Sequence, residues 1–140
     1  MLRRVHHINF IVRDLADGIQ RFEAILGVPP ERTDELAARG ALTATFKLGE
    51  TYLVLVQPTR ADSTPGRHLA ERGEGFFLLS LETDDLTGEA QRIDESGIVA
   101  MAMNAPRQGI KDWQVMDLRT GDTWGEQLQL IQEGAAGSPS

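Results

Sequence analysis

The chain reads as an α+β fold built from two β-α-β-β-β modules. Three observations predict it. Short runs of alternating apolar and polar residues read as strands, and two runs switch to helical spacing directly after an Asp-Leu pair. This strand–Asp-Leu–helix succession occurs twice. His7 to Asp14 spans seven positions, as does Leu78 to Asp85, and Gly27 matches Gly97 with a one-residue slip. A repeat of about 70 residues is too long for a solenoid unit and points to two fused copies packed together.

Residues 5–12 are rich in β-branched and aromatic types and read as the first strand. Leu15, Ile19, Phe22, Ile25 and Leu26 then fall at helical spacing, with Asp14 as N-cap and Gly27 as stop. The "VPP" that follows forbids continuation of the helix. Residues 31–37 read as a short, weak strand. "ALTATFKL" (41–48) alternates, with Leu42, Ala44, Phe46 and Leu48 on one face. The dipeptide "GE" joins it to "TYLVLVQ" (51–57) as a hairpin. Residues 58–66 read as a loop, and "RHLAERGEG" as one or two helical turns. In the second half "GFFLLSLET" is a strand, Asp85 an N-cap, and Leu86, Ala90 and Ile93 one face of a helix ended by Gly97. "IVAMAM" (98–103), "DWQVMDL" (112–118) and "EQLQLIQ" (126–132) are the three remaining strands, the last two joined by the turn "RTGDTWG".

With 140 residues the chain holds a real core, and it reads as a single domain over 1–133. Its modules cover about 5–57 and 75–133, linked by 58–74, and 134–140 form a small, polar tail expected to be disordered. A formal net charge of −7 with no cluster of Lys and Arg argues against a nucleic-acid partner. The lack of cysteine excludes disulfides, thiolate zinc sites and thiol nucleophiles. No apolar stretch approaches the roughly 18–20 residues of a membrane span, and the start lacks the long apolar segment of a signal peptide. A cytoplasmic location is expected.

The sequence resembles the vicinal oxygen chelate (glyoxalase/bleomycin resistance/dioxygenase) superfamily, and within it methylmalonyl-CoA epimerase-like members. The resemblance is carried by "HINFIVRDL" (7–15), "FEAILGV" (22–28), "LGETYLVLVQP" (48–58), "HLAERGEGFF" (68–77), "LETDDL" (81–86), "PRQG" (106–109) and "GEQLQLIQ" (125–132). It implies paired modules curling around a shared cavity. In metal-binding members each of four strands gives one ligand, leaving open positions for substrate oxygens.

The four ligand positions the resemblance assigns fall on His7, Val54, Leu78 and Gln129. Val54 and Leu78 offer no lone pair, and a neutral amide is a weaker ligand for a hard cation than a carboxylate. The expectation is therefore no metal and no other cofactor; a register slip bringing in His6, His68 or Glu126 is the route by which a divalent metal would return. The family epimerases use a glutamate base near an "E-Q-G-V" segment. The matching "AARGAL" puts Ala38 and Arg39 there, with Glu35 or Asp34 as spatial substitutes.

Strand alternation then describes a mostly apolar cavity. His7, Asn9, Tyr52, Val54, Phe76, Leu78, Ser80, Gln127 and Gln129 line it, while His6 turns toward the helix side or the sheet edge. Pockets of that composition bind small organic molecules. His7 and Gln129 are the candidate catalytic residues, by proton transfer and hydrogen-bond polarisation. The paired Asp84 and Asp85 belong to the fold pattern, His68 reads as a packing residue, Trp113 as core, and Trp124 as an aromatic able to wall a pocket. Arg60, Arg67, Arg107 and Lys111 lie on expected loops, within reach of CoA phosphates or simply solvated.

Two functions follow beside that of a non-catalytic subunit or assembly partner, and the residues leave open whether the protein is an enzyme. One is a small-molecule-binding protein without the usual metal, as in bleomycin resistance. The other is an isomerase, epimerase or lyase of methylmalonyl-CoA epimerase or lactoylglutathione lyase type, acting on a carbonyl or acyl-CoA substrate. A homodimer is expected in both.

Overall fold

A computed structural model describes residues 1–134. The expected disordered tail lies, but for its first residue, outside the described residues. The elements are β1 (Leu2–Ile11), α1 (Leu15–Leu26), β2 (Arg32–Leu36), β3 (Ala41–Leu48), β4 (Thr51–Pro58), α2 (Thr64–Arg72), β5 (Gly75–Thr83), α3 (Leu86–Glu95), β6 (Arg107–Gln108), β7 (Gln114–Asp117) and β8 (Gln127–Gln132). Short 3₁₀ turns cover Ala37–Arg39 and Thr120–Thr123. The chain divides into two compact units, residues 7–77 and residues 1–6 with those from 78 onward.

In the 7–77 unit the strand order is β2-β3-β4-β1. β4 runs parallel to β1, and the other pairs are antiparallel. Parallel neighbours need a crossover, and α1 lies on that path. Asp14 starts α1 by accepting from the Asp17 N–H (3.2 Å), and Gly27, at φ 77°, ends it. Leu15, Ile19, Phe22 and Leu26 lay their stripe on Phe10, Val12, Ala44, Phe46, Leu53 and Leu55. Phe22 meets Phe10 and Phe46 with ring centroids 5.6 and 5.7 Å apart. Gly18 permits the close approach: a Cβ there would stand 3.1 Å from Leu55 Cδ1.

The unit from 78 onward repeats the plan with strand order β5-β8-β7-β6, and β8 runs parallel to β5. Asp85 caps α3 by accepting from the Gly88 N–H (3.2 Å). Leu86, Ala90 and Ile93 pack on Met101, Met116, Leu118 and Leu130. The mix of parallel and antiparallel pairs with few helices is the expected α+β class.

Two expectations need correcting. Residues 98–103 do not form a strand; they make only an isolated bridge, Met101 with Leu118. Side chains take the bonds a strand would need: Asp94 Oδ1 accepts from the Met101 N–H (2.8 Å) and Asp122 Oδ2 from the Ala100 N–H (3.0 Å). The short β6 lies further along instead. Helix α2 also starts earlier than expected. Ser63 caps it by accepting from the Gly66 N–H (3.0 Å), and Pro65 sits in the first turn, where its missing N–H costs nothing.

One device recurs in both units. Gln57, near the end of β4, accepts from the Leu15 N–H through Oε1 (2.8 Å). Gln132, at the end of β8, accepts from the Leu86 N–H in the same way (3.0 Å). Each glutamine satisfies an orphan donor at a helix start. The bond to Leu86 is buried, so Gln132→Leu strands an amide away from water. The expected loss is about 1–3 kcal/mol, read as a lower urea midpoint. Gln57→Leu, at a half-buried amide that water reaches, is expected to cost less. Equal, negligible shifts for both variants would contradict this account of the helix starts.

Candidate functional site

With α1 covering one face of the 7–77 sheet, alternation puts the other residues of β1, β3 and β4 on the opposite face. Cross-strand register arranges them in rows. The first is His7–Tyr52–Lys47. The second is Asn9–Val54–Thr45, extended by Arg32 on β2. The third is Ile11–Val56–Thr43, extended by Asp34. His7 and Tyr52 are buried, and Val54 is 0% exposed. Lys47 Nζ lies 5.6 Å from the centroid of the Tyr52 ring. Arg32 and Asp34 form a bidentate pair at 2.8 and 2.7 Å. Asp34, one of the two substitutes weighed for the family base, is thus held by a guanidinium, while Glu35 is exposed.

Asn9 Oδ1, Thr43 Oγ1 and Thr45 Oγ1 are buried without a hydrogen-bond partner. A buried polar atom left so costs about 1–3 kcal/mol. Three such atoms on one face form a concentration of unspent hydrogen-bonding capacity.

In the other unit, the face of β5, β8 and β7 opposite α3 carries Leu78, Ser80, Gln127, Gln129 and Asp117. Here one row closes on itself. The Ser80 hydroxyl donates to Gln129 Oε1 (2.9 Å), and Gln129 Nε2 donates to Asp117 Oδ1 (3.1 Å). The Arg107 guanidinium donates to Asp117 Oδ2 (2.8 Å). Gln129 therefore has both ends of its amide engaged. Asp117 has a hydrogen bond on each oxygen.

These contacts bear on the metal the resemblance implies. Val54 and Leu78 carry no donor atom, and the Gln129 carbonyl oxygen already accepts from Ser80. The four positions the resemblance assigns thus hold one imidazole, one engaged amide and no carboxylate. A second group does bring ligating atoms together: His6, Glu82 and Glu133 lie within 4.8 Å of one another. Arg4 already occupies it. Its guanidinium donates to both Glu82 oxygens (2.8 and 3.2 Å) and to Glu133 Oε2 (3.2 Å), and His6 Nε2 lies 3.1 Å from that same Glu133 oxygen. A dication would have to displace the arginine.

His6 departs from the sequence expectation. It turns neither to the α1 side nor to a sheet edge; it is 0% exposed, packed edge-on against Trp113 at 4.5 Å between ring centroids. Phe76, expected to line the cavity, is 42% exposed, while Phe77 is buried against His68. Trp124, in its turn, is 89% exposed; Trp113 is core, as expected. Of the loop cations, Arg107 is bound to Asp117, Arg67 donates to the Asp62 carbonyl (2.6 Å), and Arg60 lies 3.4 Å from Asp62. Sequence reasoning passed over Thr43, Thr45 and Asp117. Alternation in "ALTATFKL" and "QVMDL" placed them opposite the apolar face, but their rows needed the register.

A model of the Glyoxalase/Bleomycin resistance protein/Dioxygenase superfamily matches residues 6–116. Among solved structures, a methylmalonyl-CoA epimerase variant from Streptomyces coelicolor in complex with 2-nitronate-propionyl-CoA is 30% identical. It superposes with a TM-score of 0.90, covering 99% of this chain and 100% of that one. Methylmalonyl-CoA epimerase from Mycobacterium tuberculosis is 20% identical, with a TM-score of 0.87 over 94% of this chain and 88% of that one, a likeness of fold. Among curated proteins, the uncharacterized YqjC of Bacillus subtilis (strain 168) is 23% identical over 131 residues, 94% of this chain and 93% of its own.

The cluster around His6 sets a pH dependence. Burial pushes the His6 imidazole below its ordinary value of 6.5, against the opposing bond and charge of Glu133. Hydrogen bonding by Arg4 holds the Glu82 carboxyl below its ordinary 4.5. Both folded-state values are depressed, so the unfolded chain takes up each proton first and stability falls with falling pH. The loss begins below pH 6.5 for His6 and below 4.5 for Glu82. His6→Gln keeps a donor for Glu133 and removes the titration. Melting temperatures between pH 7.5 and 5 are expected to fall less in that variant than in the wild type; parallel curves would refute the assignment.

Proposed function

The chain belongs to the glyoxalase/bleomycin resistance protein/dioxygenase superfamily, and we propose that within it the protein binds a small organic molecule without the metal its relatives can use. The observation that carries this is the state of the four family ligand positions. Two are apolar, and the Gln129 amide is held at both ends by Ser80 and Asp117. The ligand class we favour is an acyl-CoA thioester, since solved relatives hold 2-nitronate-propionyl-CoA and methylmalonyl-CoA. A small molecule fits the chain's charge of −7 better than a nucleic acid does. No helix among the described residues is long and apolar enough to cross a membrane. The proposal includes a cytoplasmic location and a homodimer, the latter checked by light scattering against the monomer mass.

A second reading keeps the ligand class and adds proton transfer next to its carbonyl. It is favoured by His7, a buried imidazole in one row with the Tyr52 phenol. His7 would take the proton, and a hydrogen-bond donor such as Tyr52 would support the enolate oxygen.

Metal analysis of untagged protein, followed by calorimetry with propionyl-CoA and methylmalonyl-CoA, tests both. The expected result is substoichiometric metal and saturable thioester binding, weakened about tenfold, or about 1.4 kcal/mol, by His7→Ala. One tightly held divalent ion per chain, lost in His7→Ala, would overturn the metal-free reading. Deuterium uptake at the thioester α-carbon in D₂O, abolished in His7→Ala, would decide for the isomerase.

A further inference from the structure

The two units carry equivalent rows in different states. In the unit from 78 onward, Ser80–Gln129–Asp117 bonds to itself from end to end. In the 7–77 unit the corresponding row is Asn9–Val54–Thr45. Valine stands where the glutamine amide stands in the other, so nothing bridges its two polar neighbours. Thr45, at 0% exposure, and Asn9 Oδ1 flank Val54 without a hydrogen-bond partner, and Thr43, at 2%, repeats the condition one row along. Asn9 and Thr45 are two strand spacings apart, about 10 Å between Cα atoms.

The chemistry of these atoms limits what can satisfy them. Asn9 Oδ1 only accepts; each threonine hydroxyl donates one hydrogen and accepts others. The charges that continue the two rows, Arg32 and Asp34, neutralise each other in a bidentate pair. Lys47, one row along on the same face, lies over the Tyr52 ring, and a carboxylate has no hydrogen for Asn9. We propose that Asn9, Thr43 and Thr45 form a hydrogen-bonding subsite for a neutral group that both donates and accepts, a carboxamide or a hydroxyl, on the bound small molecule. The subsite rests on the reading that this face holds an organic ligand, and it adds the polarity of the end that seats over Val54. Unspent buried hydroxyls are a stability cost that ligand binding would recover.

Butyramide and butyrate serve as probes, observed through the threonine methyl resonances of the full chain. Butyramide is expected to shift the Thr43 and Thr45 methyls saturably, and butyrate to leave them in place. The double variant Thr43→Val/Thr45→Val preserves side-chain shape and removes both hydroxyls. It is expected to melt at or above the wild-type temperature, which certifies its fold, and to bind butyramide about tenfold more weakly in titration calorimetry. Unmoved methyls, an equal or stronger response to butyrate, or unchanged butyramide affinity in the double variant would each overturn the subsite. Methyl shifts with butyramide but no binding of any CoA thioester would uphold the subsite and overturn the acyl-CoA reading. Thioester binding with unmoved methyls would do the reverse.

Discussion

The arrangement depends first on how each helix is fastened at its start. In both units an aspartate caps the helix, and a glutamine from the closing parallel strand takes the N–H of the leucine after it. The cap is local, but the glutamine bond reaches 42 residues along the chain in one unit and 46 in the other. It ties the crossover helix to the strand that completes its sheet. Once the helix is fixed, the apolar alternate residues of each strand are committed to it. The other set, with His7, Asn9, Ser80 and Gln129 among them, is committed to the opposite face. The chemistry of that face follows from a helix-start bond that touches none of it.

This explains what could be read from the sequence. The spacing of Leu15, Ile19, Phe22 and Leu26, the aspartate caps and the alternation of 41–57 are local signals, and they marked helix and strands correctly. Segment 98–103 failed because its apolar residues look like a strand, whereas the side chains of Asp94 and Asp122, seven and 22 residues away, claim the Met101 and Ala100 N–H groups. His6 failed because alternation along β1 is no guide to the acidic residues, Glu82 and Glu133, that burial would bring to it. The candidate site was legible as a face and not as a network. That Gln129 is flanked by Ser80 and Asp117 depends on pairings over 49 and 12 residues, which no periodicity encodes.

Two ways of handling polar groups away from water coexist in the chain. Around His6 and along the row through Gln129, charges and amides are matched to one another, so that burial is compensated by short bonds. Around Val54 the matching is missing, and polar atoms stay unspent. The first arrangement builds a self-sufficient interior. The second leaves buried donors and acceptors unmatched within the 7–77 unit.

The closed row also constrains how this chain can change. A carboxylate at position 129 would be needed to make a strong hard-cation ligand there. Gln129 Nε2 sits 3.1 Å from Asp117 Oδ1, so that carboxylate would face another across a hydrogen-bond length. Like charges at that distance repel strongly unless one stays protonated. Asp117 would have to go first, and its loss would leave Arg107 without its counter-ion. The glutamine–aspartate contact thus makes position 129 costly to recharge: an acid there calls for a change at Asp117, and through it at Arg107, as well.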